Sequence, residues 1–214
     1  MKKSVKSIII EHFNEKVKND EWDQVKTYGS ESVNYYLQYP YLFAEDVIDS
    51  FDKKDLKILD YCCGTGIYSV YPSLNGHNVY GMDFSSKSIE IAKKKSEYYN
   101  LKENTFFSVM DAEDLKYNDD TFDIILVYGS LSYLSLDTSY KELNRVLKPG
   151  GKLIVIDSLG HNLFFRINRL KNINRWAKNI NNLIGTLNIN DIRLGKKYFK
   201  IESITYFDLF TVLG

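Results

Sequence analysis

Lys57-Ile58-Leu59-Asp60-Tyr61-Cys62-Cys63-Gly64-Thr65-Gly66 decides how the rest of the chain is read. A short apolar run ends in an acid, and a glycine-rich turn then leads into a helix expected to begin near Ile67 or Tyr68. Glycines let a backbone approach a ligand closely, and a helix start presents unpaired amides. Taken alone, the turn fits either a ligand cradle or a purely structural tight turn.

Downstream, the pattern repeats. Asn78-Val79-Tyr80-Gly81-Met82-Asp83, Thr105-Phe106-Phe107-Ser108-Val109, Phe122-Asp123-Ile124-Ile125-Leu126-Val127 and Lys152-Leu153-Ile154-Val155-Ile156 are further short apolar runs. Helical stretches lie between them, over 86–99 with Ile89, Ala92 and Ser96 on one face, and over 138–147 with Leu143, Val146 and Leu147 on another. Strand–helix alternation implies right-handed crossovers and a parallel sheet. Residues 124–127 are apolar without alternation, as befits a strand covered on both faces. The expected fold is α/β: a doubly wound, mostly parallel Rossmann-like sheet of six to seven strands with helices on both faces. Ligands are then expected at the carboxyl ends of the strands.

Upstream, Ile9 or Ile10, Phe13 and Val17, and then Phe43, Val47, Ile48 and Phe51, recur at helical spacing and predict an N-terminal helical cap. Its aromatics Trp22, Tyr28, Tyr35, Tyr36 and Tyr41 fit a lid over the site or ordinary packing beneath the cap. Asp83 ends the second strand 23 residues after Asp60, where a carboxylate can accept both hydroxyls of a ribose. Asp83, Ser85 or Ser86 could also cap the helix that follows.

With 214 residues, 44% of them hydrophobic, the chain can bury most of its surface in one core, so a single domain is expected. Residues 1–54 form the cap or lid, 55–158 the cofactor-binding core, and 159–214 an acceptor-site insertion with the sixth strand. Lys and Arg total 28, as do Asp and Glu, so net charge recruits neither nucleic acid nor an anionic membrane. The apolar run Ile8-Ile9-Ile10 is too short for a signal peptide or a span. Cys62 and Cys63, the two cysteines, are adjacent. That spacing suits neither ordinary disulfide geometry nor a metal pair, so no metal is expected and a cytoplasmic setting is.

Several ordered segments resemble the class I S-adenosylmethionine-dependent methyltransferases. Asp60 to Gly66 resembles their first motif, and its double-cysteine form is similar to that of the quinone-biosynthesis C-methyltransferases. Asp83 matches the family's acidic ribose ligand. Val109-Met110-Asp111-Ala112-Glu113-Asp114-Leu115 is similar to the segment whose aspartate meets the adenine amino group. Phe122 to Tyr128 looks like the fourth strand, and Leu143-Asn144-Arg145-Val146-Leu147-Lys148-Pro149-Gly150-Gly151 matches the approach to the fifth. The resemblance implies S-adenosyl-L-methionine as cofactor, held by Asp60, Tyr61, Cys62, Gly64, Thr65, Gly66, Asp83, Phe84, Asp111, Ala112 and Tyr128. One departure is Cys62, where the family most often has glycine. A nicotinamide dehydrogenase is the rival, but its third glycine would fall at Ser69.

Methyl transfer from a sulfonium depends mainly on positioning, and a base is needed only for a protonated acceptor. His161 is the candidate base, or else a solvated loop residue, and Tyr133 is the candidate for orienting the acceptor. Tyr128-Gly129-Ser130-Leu131-Ser132-Tyr133 lacks the Pro-Pro-aromatic motif of members acting on nucleobase amines, which points to a small-molecule acceptor. Residues 158–190 contain no acid, and Arg166, Arg169, Lys171, Arg175 and Lys178 alternate with apolar residues. That stretch reads as a core-packing helix with a solvated face, a site for an anionic sugar or lipid intermediate, or a weak membrane-surface contact. The alternation of Phe199 to Tyr206 predicts the sixth strand. The eight residues after it hardly allow a seventh, so either a bare edge open to homodimer pairing or a longer natural chain is expected. A cofactor-binding module without turnover is a further alternative.

Overall fold

The computed structural model describes residues 38–159 and 187–206, together with Val25, Lys26, Tyr28 and Gly29. Five apolar runs become strands: β1 (Lys57–Tyr61), β2 (Asn78–Asp83), β3 (Thr105–Val109), β4 (Phe122–Tyr128) and β5 (Leu147–Ile156). Every neighbouring pair is parallel, in the order β3-β2-β1-β4-β5. The chain therefore winds outward from β1 through β2 to β3, then returns to the other side of β1 as β4. The carboxyl ends of β1 and β4 form the switch point, where open α/β sheets leave a crevice.

Helices α1 (Tyr39–Asp49), α2 (Val70–Leu74), α3 (Ser86–Tyr98), α4 (Leu136–Val146) and α5 (Ile189–Gly195) complete the described elements, with a 3₁₀ turn over Leu131–Tyr133. Side chains alternate across the sheet. Ile58, Val79, Ile124, Leu126 and Ile154 pack with Ala44 and Ile48 of α1 on one face. Leu59, Tyr61, Met82, Ile125 and Val127 pack with Tyr140, Leu143 and Val146 of α4 on the other. Residues 124–127 are fully buried, because β4 lies between two neighbours and under helices on both sides. No helix among the described residues is long and apolar enough to cross a membrane.

Two expectations about elements are corrected. The helix after the glycine turn starts at Val70, not Ile67 or Tyr68. Proline lacks an N–H and is tolerated only in a helix's first turn, so Pro72 forbids the earlier start. The described sheet has five strands rather than six to seven, and residues 199–206 form none. Lys152 Nζ meets the Glu202 carboxylate at 2.5 Å, but no backbone ladder joins this segment to β5. Alternation makes a strand only against a neighbouring edge and a face to bury, and Ile204 and Tyr206 are exposed. The Lys148-Pro149-Gly150-Gly151 turn is absorbed into β5 as an irregularity, since the register shifts between the Phe122–Leu147 and Ile124–Lys152 pairs.

Candidate functional site

The glycine turn is tied to β2 at three successive amides. Cys62 N–H lies 3.3 Å from Met82 Sδ, Cys63 N–H donates to Met82 O at 2.9 Å, and Gly64 N–H donates to Asp83 Oδ2 at 3.0 Å. Cys62, Gly64 and Gly66 all have positive φ, at 57°, 53° and 71°. A Cβ at Gly66 would press on Ala92 and Phe107, whereas one at Gly64 would meet nothing within 4 Å. The turn thus packs α3 through Gly66 and stays open beside Gly64. The left-handed backbone at Cys62 also explains why glycine suits that position, because a side chain there costs about 1–2 kcal/mol.

Asp83 accepts from two backbone amides, Ser85 N–H at 2.9 Å and Gly64 N–H at 3.0 Å. It does not cap α3: the N-cap is Ser85, whose hydroxyl accepts from Ser88 N–H at 3.1 Å. Burial pushes the Asp83 carboxyl above the ordinary carboxylate range, while its amide partners pull the other way. Asp60 is more deeply enclosed, at 1% exposure. It accepts from Ser69 Oγ at 2.5 Å, so its side chain closes the turn from beneath. Burial pushes its carboxyl up to about 7, with Ser69 opposing and the nearby Asp83 adding to the rise. Ser69 is the residue at which a dinucleotide fold would want its third glycine, and here its hydroxyl has a structural use.

Asp111 and Ala112 follow β3, beside Asp83, whose carbonyl accepts from Met110 N–H at 2.9 Å. Tyr61, the last residue of β1, donates its hydroxyl to Ala112 O at 2.8 Å. Burial holds the Tyr61 phenol far above its ordinary value, so it remains a donor. Asp111 Oδ1 accepts from Glu113 N–H at 3.1 Å, and Glu113 Oε1 accepts from Ser135 N–H at 2.8 Å. Asp60, the glycine turn, Asp83, Asp111 and Ala112 are thereby gathered at one end of β1, β2 and β3.

Residues 59–155 match a family described as a methyltransferase domain. Over these residues, a little under half of the chain, the protein is similar to methyltransferase domains. It is 36% identical over 104 residues to a demethylmenaquinone methyltransferase of Lactobacillus johnsonii, a match covering 47% of this chain and 43% of that protein. The match thus spans less than half the length of that curated relative. A SAM-dependent methyltransferase from Methanosarcina mazei superposes with a TM-score of 0.52 at 27% identity, over 60% of this chain and 64% of the other. A geranyl diphosphate methyltransferase in complex with GPP and sinefungin shares the fold, with a TM-score of 0.69 at 13% identity over 90% and 78% of the two chains.

The other rim of the site is aromatic. Tyr68, from the turn, lies between Tyr41 of α1, stacked at 4.8 Å, and Tyr128 at the end of β4, tilted at 4.2 Å. Of the aromatics expected in a lid, Tyr41 therefore touches the turn itself. Tyr28 instead meets Tyr99 edge-on at 5.2 Å, and Trp22, Tyr35 and Tyr36 lie outside the described residues. Burial raises the Tyr128 hydroxyl well above its ordinary value, so it stays neutral. Tyr133 closes the 3₁₀ turn after β4, its N–H donating to Ser130 O at 3.0 Å. Asp157, at the end of β5, accepts from Leu131 N–H at 3.2 Å and so joins the loops after β4 and β5. His161 and the basic residues from Arg166 to Lys178 lie outside the described residues. Sequence reasoning missed Ser69, Tyr68 and the Arg145–Glu142 pair on α4; the spacing of that pair, three residues apart on a helix, was the available signal.

Proposed function

We propose that this chain transfers the methyl group of S-adenosylmethionine to a small-molecule acceptor. The observation that carries the reading is the convergence of the glycine turn, Asp83 and Asp111 at the carboxyl ends of adjacent strands within the stretch that matches the methyltransferase family. These residues fit the cofactor on their own chemistry. Asp83 is a buried acceptor that has no ion-pair partner among the described residues, and the turn is open at Gly64. Asp83 would accept from the ribose hydroxyls, with Thr65 of the glycine turn and Phe84 after β2 beside them, and Asp111 with Ala112 would meet the adenine amino group. Cys62, Tyr61 and Tyr128 would flank the methionine part, while Asp60 would act by holding Ser69 and the turn in shape.

When bound, the cofactor supplies an electrophilic methyl on a sulfonium. The chain's own task is to hold the acceptor in line and exclude water, which can lower the barrier by about 7–11 kcal/mol. Tyr133 would orient the acceptor, and His161 would take a proton if the acceptor carries one. The absence of a Pro-Pro-aromatic motif after β4 favours a small molecule over a nucleobase amine. The basic residues Arg166, Arg169, Lys171, Arg175 and Lys178 favour an anionic sugar or lipid intermediate, and the relatives' name adds demethylmenaquinone to the candidates. The test is transfer of labelled methyl to anionic and neutral acceptors, including demethylmenaquinone, with His161→Ala and Tyr133→Phe compared at saturating cofactor. Turnover limited to anionic acceptors supports the reading in full. Cofactor binding without turnover on any acceptor would overturn the enzymatic part.

A further inference from the structure

We infer that Arg145 is a positioning residue that fixes the Asp111–Ala112 segment and thereby sets base selectivity at the adenine end of the cofactor; this rests on the reading above. Residues 110–121 join β3 to β4 without a helix or strand. Such a stretch is mobile unless something outside it supplies hydrogen bonds. Arg145 projects from the last turn of α4 and spends all five guanidinium donors. Nη1 donates to Tyr117 O and Asp119 Oδ1, both at 2.8 Å. Nη2 donates to Leu115 O at 3.0 Å and Glu142 Oε2 at 2.7 Å, and Nε donates to Glu142 Oε1 at 3.0 Å. Glu142 Oε2 also accepts from Leu115 N–H at 3.1 Å, so Leu115 is held at both its amide and its carbonyl.

The planar fork is what makes this possible. Two parallel bonds lock the guanidinium on Glu142, which leaves its outer edge aimed at two carbonyls. A lysine offers three donors from one point and cannot bridge Leu115, Tyr117 and Glu142 together. The pair is also sheltered, with side chains 28% and 16% exposed, so solvent screens it less than a surface bridge. Beyond this clamp, Tyr61 to Ala112 O and Ser135 N–H to Glu113 pin the segment's first half. Those two bonds hold Ala112 O and the Glu113 carboxylate but not the Asp111 backbone, whose carbonyl accepts from Asp114 N–H at 3.2 Å, next to the clamped Leu115. Releasing Arg145 loosens that turn and shifts Asp111 from the position in which it can tell an amino group from an oxo group.

Binding of S-adenosylmethionine and of S-inosylmethionine, which carries an oxo group in place of the adenine amino group, is measured for the full chain by calorimetry. Arg145→Lys and the milder Glu142→Gln are compared with wild type. Asp137→Ala, which releases Tyr198 and Lys197 from another part of α4, controls for a loosened helix. Wild type is expected to prefer the adenine form by about tenfold or more, as a site that hydrogen-bonds a polar group rejects its analogue. Both clamp variants are expected to lose most of that preference and to raise KM for the cofactor while kcat at saturation holds. A fall in melting temperature with the preference intact in both variants would overturn the inference. Failure of the wild type to bind either nucleotide would instead overturn the cofactor reading beneath it.

Discussion

Two ends of the same sheet treat their aspartates in opposite ways. At the amino end of β4, Asp123 is surrounded by donors: Lys53 Nζ at 3.1 Å, Lys148 Nζ at 2.9 Å and Lys57 N–H at 2.9 Å. These partners hold its carboxyl below the ordinary range despite partial burial. At the carboxyl ends of β1 and β2, Asp60 and Asp83 are more deeply buried, yet among the described residues neither has an ion-pair partner. Their carboxyls are pushed up instead. A buried carboxylate without a cation is expensive to keep for stability alone. The amino end is therefore anchored by cations, whereas at the carboxyl end the partners are a hydroxyl for Asp60 and backbone amides for Asp83.

The contrast is sharpest in its dependence on pH. Asp60 has its folded value raised from 3.8 to about 7, so the folded state binds its proton more tightly than the unfolded chain. Its contribution to stability is full below pH 4 and is lost as pH rises to 7, by up to about 1.4 kcal/mol per pH unit. Asp60→Asn should remove that slope, so the difference in unfolding free energy between wild type and variant should shift by roughly 3 kcal/mol between pH 4 and pH 8 in urea titrations. A pH-independent difference would place Asp60 among the ordinary structural acids. Next in size, Asp83→Ala should weaken S-adenosylmethionine binding by about 1.5–3 kcal/mol, the range for hydrogen bonds to a charged group. Unchanged affinity in calorimetry would remove Asp83 from the ribose.

Asp123→Ala should do the reverse. It should lower stability by about 1–2 kcal/mol while leaving cofactor affinity alone, since its partners are lysines and an amide at the far end of the strands. Weakened cofactor binding in that variant would erase the distinction between the two ends. The smallest effect belongs to Cys62→Gly, which relieves a left-handed backbone at the mouth of the turn. Strain of about 1–2 kcal/mol, offset by the greater entropy of unfolded glycine, leaves a gain of about 0.5–1 kcal/mol in thermal unfolding.

Strands β1 to β4 were legible because each is a short, mainly apolar run; in β4 residues 124–127 are buried on both faces and need no alternation, while edge strand β3 leaves Phe106 and Val109 exposed. The helix read over 86–99 was legible for another reason: Ile89, Ala92 and Ser96 recur on one face, and of the three cap candidates Ser85 is the one that caps its start. Phe199 to Tyr206 misled because alternation describes a face and says nothing about whether an edge is there to receive it. Asp60 and Asp83 look alike in sequence, each an acid ending a strand before a turn. Their different depths come from Ser69 above one and two backbone amides beside the other, which are tertiary facts. Arg145 was hidden because its bonds reach carbonyls some thirty positions away, at Leu115 and Tyr117. His161 and the basic stretch lie outside the described residues, so their roles stand as sequence-based proposals.

The most direct test of the central claim is calorimetric titration of the purified chain with S-adenosylmethionine, S-adenosylhomocysteine and NADH. Micromolar binding of both sulfur nucleotides with none for NADH is the predicted result. Binding of NADH alone would contradict the reading of Asp60 to Gly66, Asp83 and Asp111 as a methyltransferase cofactor site.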